Sequence, residues 1–279
     1  MRLMRYGKPG KERPGLMTLN GIIDLAAIYP DIPDIGPLFF EGKWLEKIFN
    51  TAFSGIKPLP FSGRIGPPTT APSKIICLGK NYAEHAKEGG FESPKAPILF
   101  CKAPSALTGP FDPVLLPETS LKVDWEVELA VVIGKKGKRI PVGSALSHIA
   151  GFTILNDVSG RDAQFADSQW FRGKSFDTFA PIGPWIVTVD EVADVQNLGL
   201  TCHVNGRLMQ EGNTRDMLFP VASIISYISQ DITLFPGDII STGTPSGVGF
   251  FRDPPIVLQH GDEVVCAIES IGEIRNRVM

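Results

Sequence analysis

From residue 74 onward the chain alternates short apolar, β-branched runs with proline and glycine: "KIICLG", "PILFCK", "PVLLP", "WEVELAVVIG", "HIAGFTILND", "PWIVTV", "LTCHVNG", "DIISTG" and "DEVVCAIE". Runs this short and this irregularly joined predict the strands of a β-rich barrel or roll, not a doubly wound sheet. In "VDWEVELAVVIG", residues 123–134, alternation puts Asp124, Glu126 and Glu128 on one strand face and Trp125, Val127 and Leu129 on the other. Carboxylates that close repel each other unless a positive charge lies between them.

Two stretches have helical character. "PVASIISYISQ" begins with Pro220 at a first-turn position and repeats apolar residues at 221, 224, 225 and 228. "NYAEHAKEGG", residues 81–90, predicts about two turns, with Asn81 as N-cap and Gly89-Gly90 as the stop. Residues 1–70 read as a small N-terminal α/β unit: strands near "RLMRYG", "GLMTLN" and "GIIDLAAIY", and a short helix near "KWLEKIFN". The Gly/Pro cluster at 63–72 predicts a linker before a second unit, 71–279.

With 279 residues, 43% of them hydrophobic and a net charge of -3, the composition is that of an ordinary globular protein. That balance offers no electrostatic reason for a nucleic-acid or anionic-membrane partner. The N-terminus has no apolar stretch typical of a signal peptide, and no 18-residue apolar run occurs, so a cytoplasmic protein is expected. Cys77, Cys101, Cys202 and Cys266 show no metal-type spacing and read as reduced core thiols.

Candidate chemistry gathers around the acidic strand. His85 and Glu88 are three apart on one helical face, so the carboxylate can orient the imidazole as a general base. The same spacing also suits a solvated ion pair. Glu126 and Glu128, with Asp157 after the next apolar run, make a reasonable oxygen shell for Mg²⁺ or Mn²⁺. An edge strand whose acids pair with Lys122 or the basic turn is the competing reading. "KKGKR", residues 135–139, predicts a solvated hairpin turn. "STGTPSGVG", residues 241–249, lacks the lysine of a phosphate loop. It could hold a substrate carboxylate through backbone N–H groups and Thr244, or simply be a tight turn needing positive φ. Lys174, if it faces a metal site, could neutralise a developing enolate.

"LGKNYAEHAKE", "DWEVELAVVIG", "AGFTILNDVSGRDAQ", "KSFDTFAPIGPW" and "GDIISTGTPSGVG" follow one another in an order that resembles the fumarylacetoacetate hydrolase superfamily, over roughly residues 74–279. The N-terminal segment resembles that of bacterial members of similar length. Some of these are labelled 2-hydroxyhepta-2,4-diene-1,7-dioate isomerase or ureidoglycolate lyase, and others hydrolyse 2,4-diketo-3-deoxy sugar acids. The resemblance implies a β-rich α+β fold, a mixed β-sandwich roll with the small N-terminal appendage, in a homodimer. It implies a divalent metal, Mg²⁺ or Mn²⁺, on Glu126, Glu128 and Asp157, and a water-activating pair at His85 and Glu88. Substrate or oxyanion contacts fall on Arg161, Gln164, Lys174 and Thr244, with Arg161 alternatively bracing its loop beside Asp162. The expected activity is hydrolysis of a C–C bond in a 2,4-diketo acid, an acylpyruvate or a diketo-deoxy sugar acid. Decarboxylation of an oxaloacetate-type acid or isomerisation follows as second choice, and a non-catalytic metal-bound scaffold as the contrasting class.

Overall fold

The structure, a computed structural model, describes residues 1–53, 55–166 and 168–279. The N-terminal segment folds as β1 (Arg2–Tyr6), β2 (Arg13–Thr18), β3 (Gly21–Asp24), α1 (Leu25–Ile28), α2 (Pro37–Glu41) and α3 (Trp44–Phe49). Next come β4 (Ile75–Gly79), α4 (Ala83–Glu88), β5 (Ile98–Lys102), β6 (Leu107–Thr108), β7 (Val123–Asp124), β8 (Val127–Ile133), β9 (Ile149–Asn156) and β10 (Ser159–Gly160). The chain continues through α5 (Arg161–Phe165), α6 (Phe171–Lys174), β11 (Ala180–Thr188), β12 (Gly199–Val204) and β13 (Arg207–Asn213). It ends with α7 (Val221–Asp231), β14 (Ile239–Ser241), β15 (Glu263–Ile268) and β16 (Gly272–Arg277).

This is a strand-rich α+β fold with two main sheets. The larger runs β3-β2-β1-β11-β9-β8-β14-β4-β5, with β6 added beside β11; a second sheet runs β13-β12-β15-β16. Pairing is antiparallel except for β14 with β4 and β11 with β6. Strand β8 is buried along its whole length, as befits the central strand between β9 and β14. The N-terminal strands extend this same sheet through β1 and β11, where Arg2 faces Val187. Their apolar core, with Leu3, Leu25, Phe39 and Ile48, closes over Val132, Ala150 and Ile186 of the larger segment.

Several elements depart from the expectations, each for a local reason. "GIIDLAAIY" is not one strand: the Asp24 carboxylate accepts from the N–H groups of Ala26 and Ala27 at 3.0 and 3.3 Å, so the chain turns helical there. Asn81 does not cap α4. Its amide donates to the carbonyls of Phe219 and Thr242 and accepts from Phe219 N–H, tying the start of the helix to two other segments. Pro220 lies at the N-cap of α7, one position before the helix proper. "KKGKR" forms no tight hairpin; it begins the longer connection from β8 to β9, with Gly137 bridged to Leu234. "PVLLP" contributes only a bridge between Val114 and Val278. All four cysteines are free, and Cys101 is exposed, not a core thiol.

Candidate active site

The acidic strand is broken where the chemistry sits. Between β7 and β8 the ladder lapses at Trp125 and Glu126. Glu126 N–H donates to Asn156 Oδ1 and Val127 N–H to Gln210 Oε1, both at 3.0 Å. Side-chain carbonyls thus satisfy the buried amides, and the backbone can turn without leaving orphaned groups. Behind the acids Trp125, Val127 and Leu129 are fully buried, as alternation requires.

Glu126, Glu128 and Asp157 come together, with one carboxylate oxygen from each lying within 4.8 Å of the others. All three are buried. Their basic partners are not Lys122 or the basic turn. Lys174 Nζ donates to Glu126 at 2.6 Å and to Asp157 at 2.8 Å. The ammonium of Lys102, also buried, takes the other oxygen of Asp157 and donates to the Val158 carbonyl at 3.1 Å. Arg161 Nη2 lies 2.6 Å from Glu126. Burial alone would raise the Glu126 carboxyl, but Lys174, Arg161 and His85 outweigh it and hold the group well below the usual carboxylate range.

Glu128 is the exception. It accepts from the Ser241 hydroxyl and from Gly243 N–H at 2.9 Å, and forms no ion pair among the described residues. Burial, then the charges of Asp157 and Glu126, push its carboxyl well above the usual range. A buried acid whose charged form its surroundings disfavour, converging with two others through oxygen donors only, fits a hard divalent cation. The donor set offers no histidine or thiolate that would favour zinc.

His85 and Glu88 are brought together with Nδ1 and Oε2 3.4 Å apart, a long contact. Glu88 is fixed by Gly247 N–H, 3.0 and 3.1 Å from its two oxygens. Only glycine permits this approach: Gly247 has φ +102, and a Cβ there would lie 2.1 Å from the Met209 carbonyl oxygen. The glycine loop therefore serves acids, not a phosphate. Gly243 binds Glu128, Gly247 binds Glu88, and Gly249 and Phe250 donate to Asp124 at 2.8 and 3.0 Å.

Sequence reasoning left two buried groups without a role, Asp124 and Lys102. Asp124 takes Nε and Nη2 of Arg161 at 3.0 and 2.8 Å, while Nη1 donates to Gln164 at 3.0 Å. Burial works against the Arg161 charge, but Glu126 and Asp124 outweigh it and keep the guanidinium protonated. Asp162 is not its partner; that carboxylate is held by Ser120 and Leu121 N–H. Thr244 lines the cleft, yet its hydroxyl donates to the Val127 carbonyl and accepts from Gln210, both at 2.8 Å.

One cleft of about 470 Å³, counting its open mouth, has His85, Glu126, Glu128, Arg161, Gln164 and Lys174 in its wall. Phe91, Phe100, Trp170 and Phe251 supply an apolar side. Residues 74–279 match the family described as fumarylacetoacetate (FAA) hydrolase, C-terminal. The chain belongs to the fumarylacetoacetate hydrolase family. It is an enzyme of that family by its relatives as well. It is 47% identical to the mitochondrial oxaloacetate tautomerase FAHD2B of Bos taurus, over 100% of this chain and 92% of the relative. A fumarylacetoacetate hydrolase from psychrophilic Exiguobacterium antarcticum superposes with a TM-score of 0.88 at 37% identity, covering 100% of this chain and 99% of that one. Maleylpyruvate hydrolase from Sphingobium sp. SYK-6, solved with manganese(II) and pyruvate, gives 0.81 at 33%, with 100% and 99% covered. Among the described residues, no helix of this family member is long and apolar enough to cross a membrane.

Proposed function

We propose that the protein interconverts the keto and enol forms of a 2-oxo dicarboxylic acid of the oxaloacetate type, with Mg²⁺ or Mn²⁺ at Glu126, Glu128 and Asp157. The observation that carries this reading is the pairing, in one cleft, of a buried three-carboxylate centre with an imidazole oriented by Glu88. A divalent cation held there would polarise the 2-oxo group as a Lewis acid and favour ionisation at the adjacent carbon.

The chain's own groups account for the proton. A proton on His85 Nδ1 directed at Glu88 leaves Nε2 as the basic nitrogen, which takes the proton from C3 and passes it to the 2-oxo oxygen, and in ketonisation carries the enol proton back to C3. Lys174 is the cationic donor next to the acid cluster and would offset negative charge developing on the 2-oxo oxygen. Arg161, with Asp124 and Gln164, holds Glu126 in position more than it reaches outward. The aromatic side of the cleft limits water, which would otherwise compete for the metal and the base.

Tautomerisation needs a base but no attacking water. C–C hydrolysis of an acylpyruvate or diketo-deoxy sugar acid on the same site would require one, activated by His85, and is the second reading. What favours it is the likeness to a hydrolase solved with manganese and pyruvate. We rank it below tautomerisation because the full-length relatives at 44–47% identity include several named as oxaloacetate tautomerases, against 33% for that hydrolase. Decarboxylation of the same acid ranks with it. The deciding experiment offers the metal-loaded protein enol-oxaloacetate and acetylpyruvate in parallel. Faster ketonisation of the first with no release of pyruvate from either supports the reading, whereas cleavage of the second alone replaces it with hydrolysis.

A further inference from the structure

Lys80 stands apart from the other cations of the cleft. Arg161 and Lys174, which also line it, are each paired with two buried carboxylates, and Lys102 behind it is paired with Asp157. Lys80 lines the same cleft but forms no ion pair among the described residues; its ammonium stands 3.5 Å from the centroid of Phe91. Burial lowers its pKa, and among the described residues no carboxylate offsets that effect. An ammonium partly stripped of water and left without a counter-ion is poised for an anion.

Its position is held at some cost. Lys80 follows directly on β4 with φ 58, in the left-handed region where glycine or asparagine is at ease. Asn81, the next residue, is locked to Phe219 and Thr242, so the backbone cannot relax there freely. From His85 the cleft wall runs through Phe251, 6.0 Å away between ring centroids, to Phe91 at a further 6.3 Å, and so to Lys80. Lys80 and His85 thus stand in the lining of one cleft, linked by contiguous aromatic contacts.

We propose that Lys80 is the counter-ion for the distal carboxylate of the substrate and sets the preference for 2-oxo diacids over 2-oxo monoacids. The inference rests on reading the cleft as a 2-oxo acid site. A 2-oxo acid bound at the acid cluster through C1 and C2 presents C3 to His85 and carries its far carboxylate onward toward Lys80. Cation–π contact with Phe91 keeps the ammonium extended along the wall until the anion arrives. A monoacid of the same length leaves that ammonium unpaired and gains nothing from it.

The test is equilibrium binding to the Mn²⁺-loaded protein, read by calorimetry and by fluorescence of Trp170 in the cleft wall. Oxaloacetate and 2-oxobutanoate form a matched pair, four carbons long with and without the far carboxylate. The parent should bind the diacid at least tenfold more tightly, about 1.4 kcal/mol. Lys80→Met should abolish that preference while leaving 2-oxobutanoate within about twofold, and Lys80→Arg should keep the preference within about threefold. In turnover, Lys80→Met should raise KM for the diacid and leave kcat within about twofold. Equal weakening of both acids, or of neither, overturns the proposal. Unchanged melting temperatures for both variants exclude misfolding as the cause, and Lys80→Gln replaces Lys80→Met should the latter melt early. If the diacid preference depends on Lys80 but oxaloacetate is not tautomerised, the functional reading fails and this assignment stands. Tautomerisation with an unchanged KM in Lys80→Met gives the reverse.

Discussion

Asp124 and Arg161 are joined through a single oxygen, with Nε 3.0 Å and Nη2 2.8 Å from Oδ2 of the aspartate, and both residues are buried. Through this pair the strand that bears the glutamates is tied to the start of α5 and, by the bonds from Gly249 and Phe250, to the glycine loop. Replacing Asp124 with Ala leaves Arg161 a buried charge with only Glu126 opposite it. A loss of roughly 3–5 kcal/mol in unfolding stability is expected in denaturant titrations. Asp124→Asn, which keeps the shape, should be milder in stability yet still reduce turnover by moving Arg161 and with it Glu126.

His85 carries the proton in this account, and Glu88 orients it. His85→Ala should lower turnover by roughly 10²–10⁴-fold while binding Mn²⁺ as the parent does. Glu88→Gln should have a smaller effect of the same kind. Calorimetric metal titration alongside steady-state kinetics separates the two quantities. A matching fall in metal affinity would mean that His85 belongs to the metal shell.

Glu128 has no basic partner among the described residues, so a bound cation should stabilise the fold. Thermal melts with Mg²⁺ or Mn²⁺ at a hundredfold excess over the dissociation constant should gain about 2.7 kcal/mol, and chelator should remove the gain. Glu128→Gln should melt at nearly the same temperature with and without metal. An equal metal response in this variant would locate the ion elsewhere.

How much of this was legible in the sequence differs from residue to residue. Alternation along one strand sufficed to put Glu126 and Glu128 on one face, because the period of a strand is geometric. His85 and Glu88 met through helical spacing for the same reason. Lys102 was not legible: in "FCKAP" it looks like any lysine at a strand end, and its burial against Asp157 comes from the packing of distant segments. Asp124 was on the right face but roleless, because its partners arrive from α5 and from residues 249–250, over a hundred positions away in the second case. Strand β13, "RLMQEGN", carries too few apolar residues to signal itself; β12 imposes the ladder on it. The same loop that read as a choice between anion cradle and tight turn is a turn whose N–H groups serve three acids.

Glu12 accepts from Arg64 at 2.8 Å and from Arg5 at 3.4 Å, and so braces the Arg64 side chain that joins the N-terminal segment to Asp112 of the larger one. Burial tends to raise the Glu12 carboxyl, but Arg64 and Arg5 outweigh it and bring it below its ordinary value. A depressed folded pKa means stability that is present above the ordinary glutamate range and lost as pH falls through the folded value. Glu12→Gln should therefore melt roughly 2–10 °C below the parent at neutral pH. That gap should close below about pH 4. A gap independent of pH would mean that shape, not charge, is what Glu12 supplies.

The central claim is that one cleft combines a metal held by Glu126, Glu128 and Asp157 with proton transfer by His85. It is tested most directly by the rate at which enol-oxaloacetate ketonises with the Mn²⁺-loaded parent, the chelated parent and metal-loaded His85→Ala. The account predicts acceleration by the first, reduced at least a hundredfold in the other two. Equal acceleration by all three, or none by the metal-loaded parent, would contradict it.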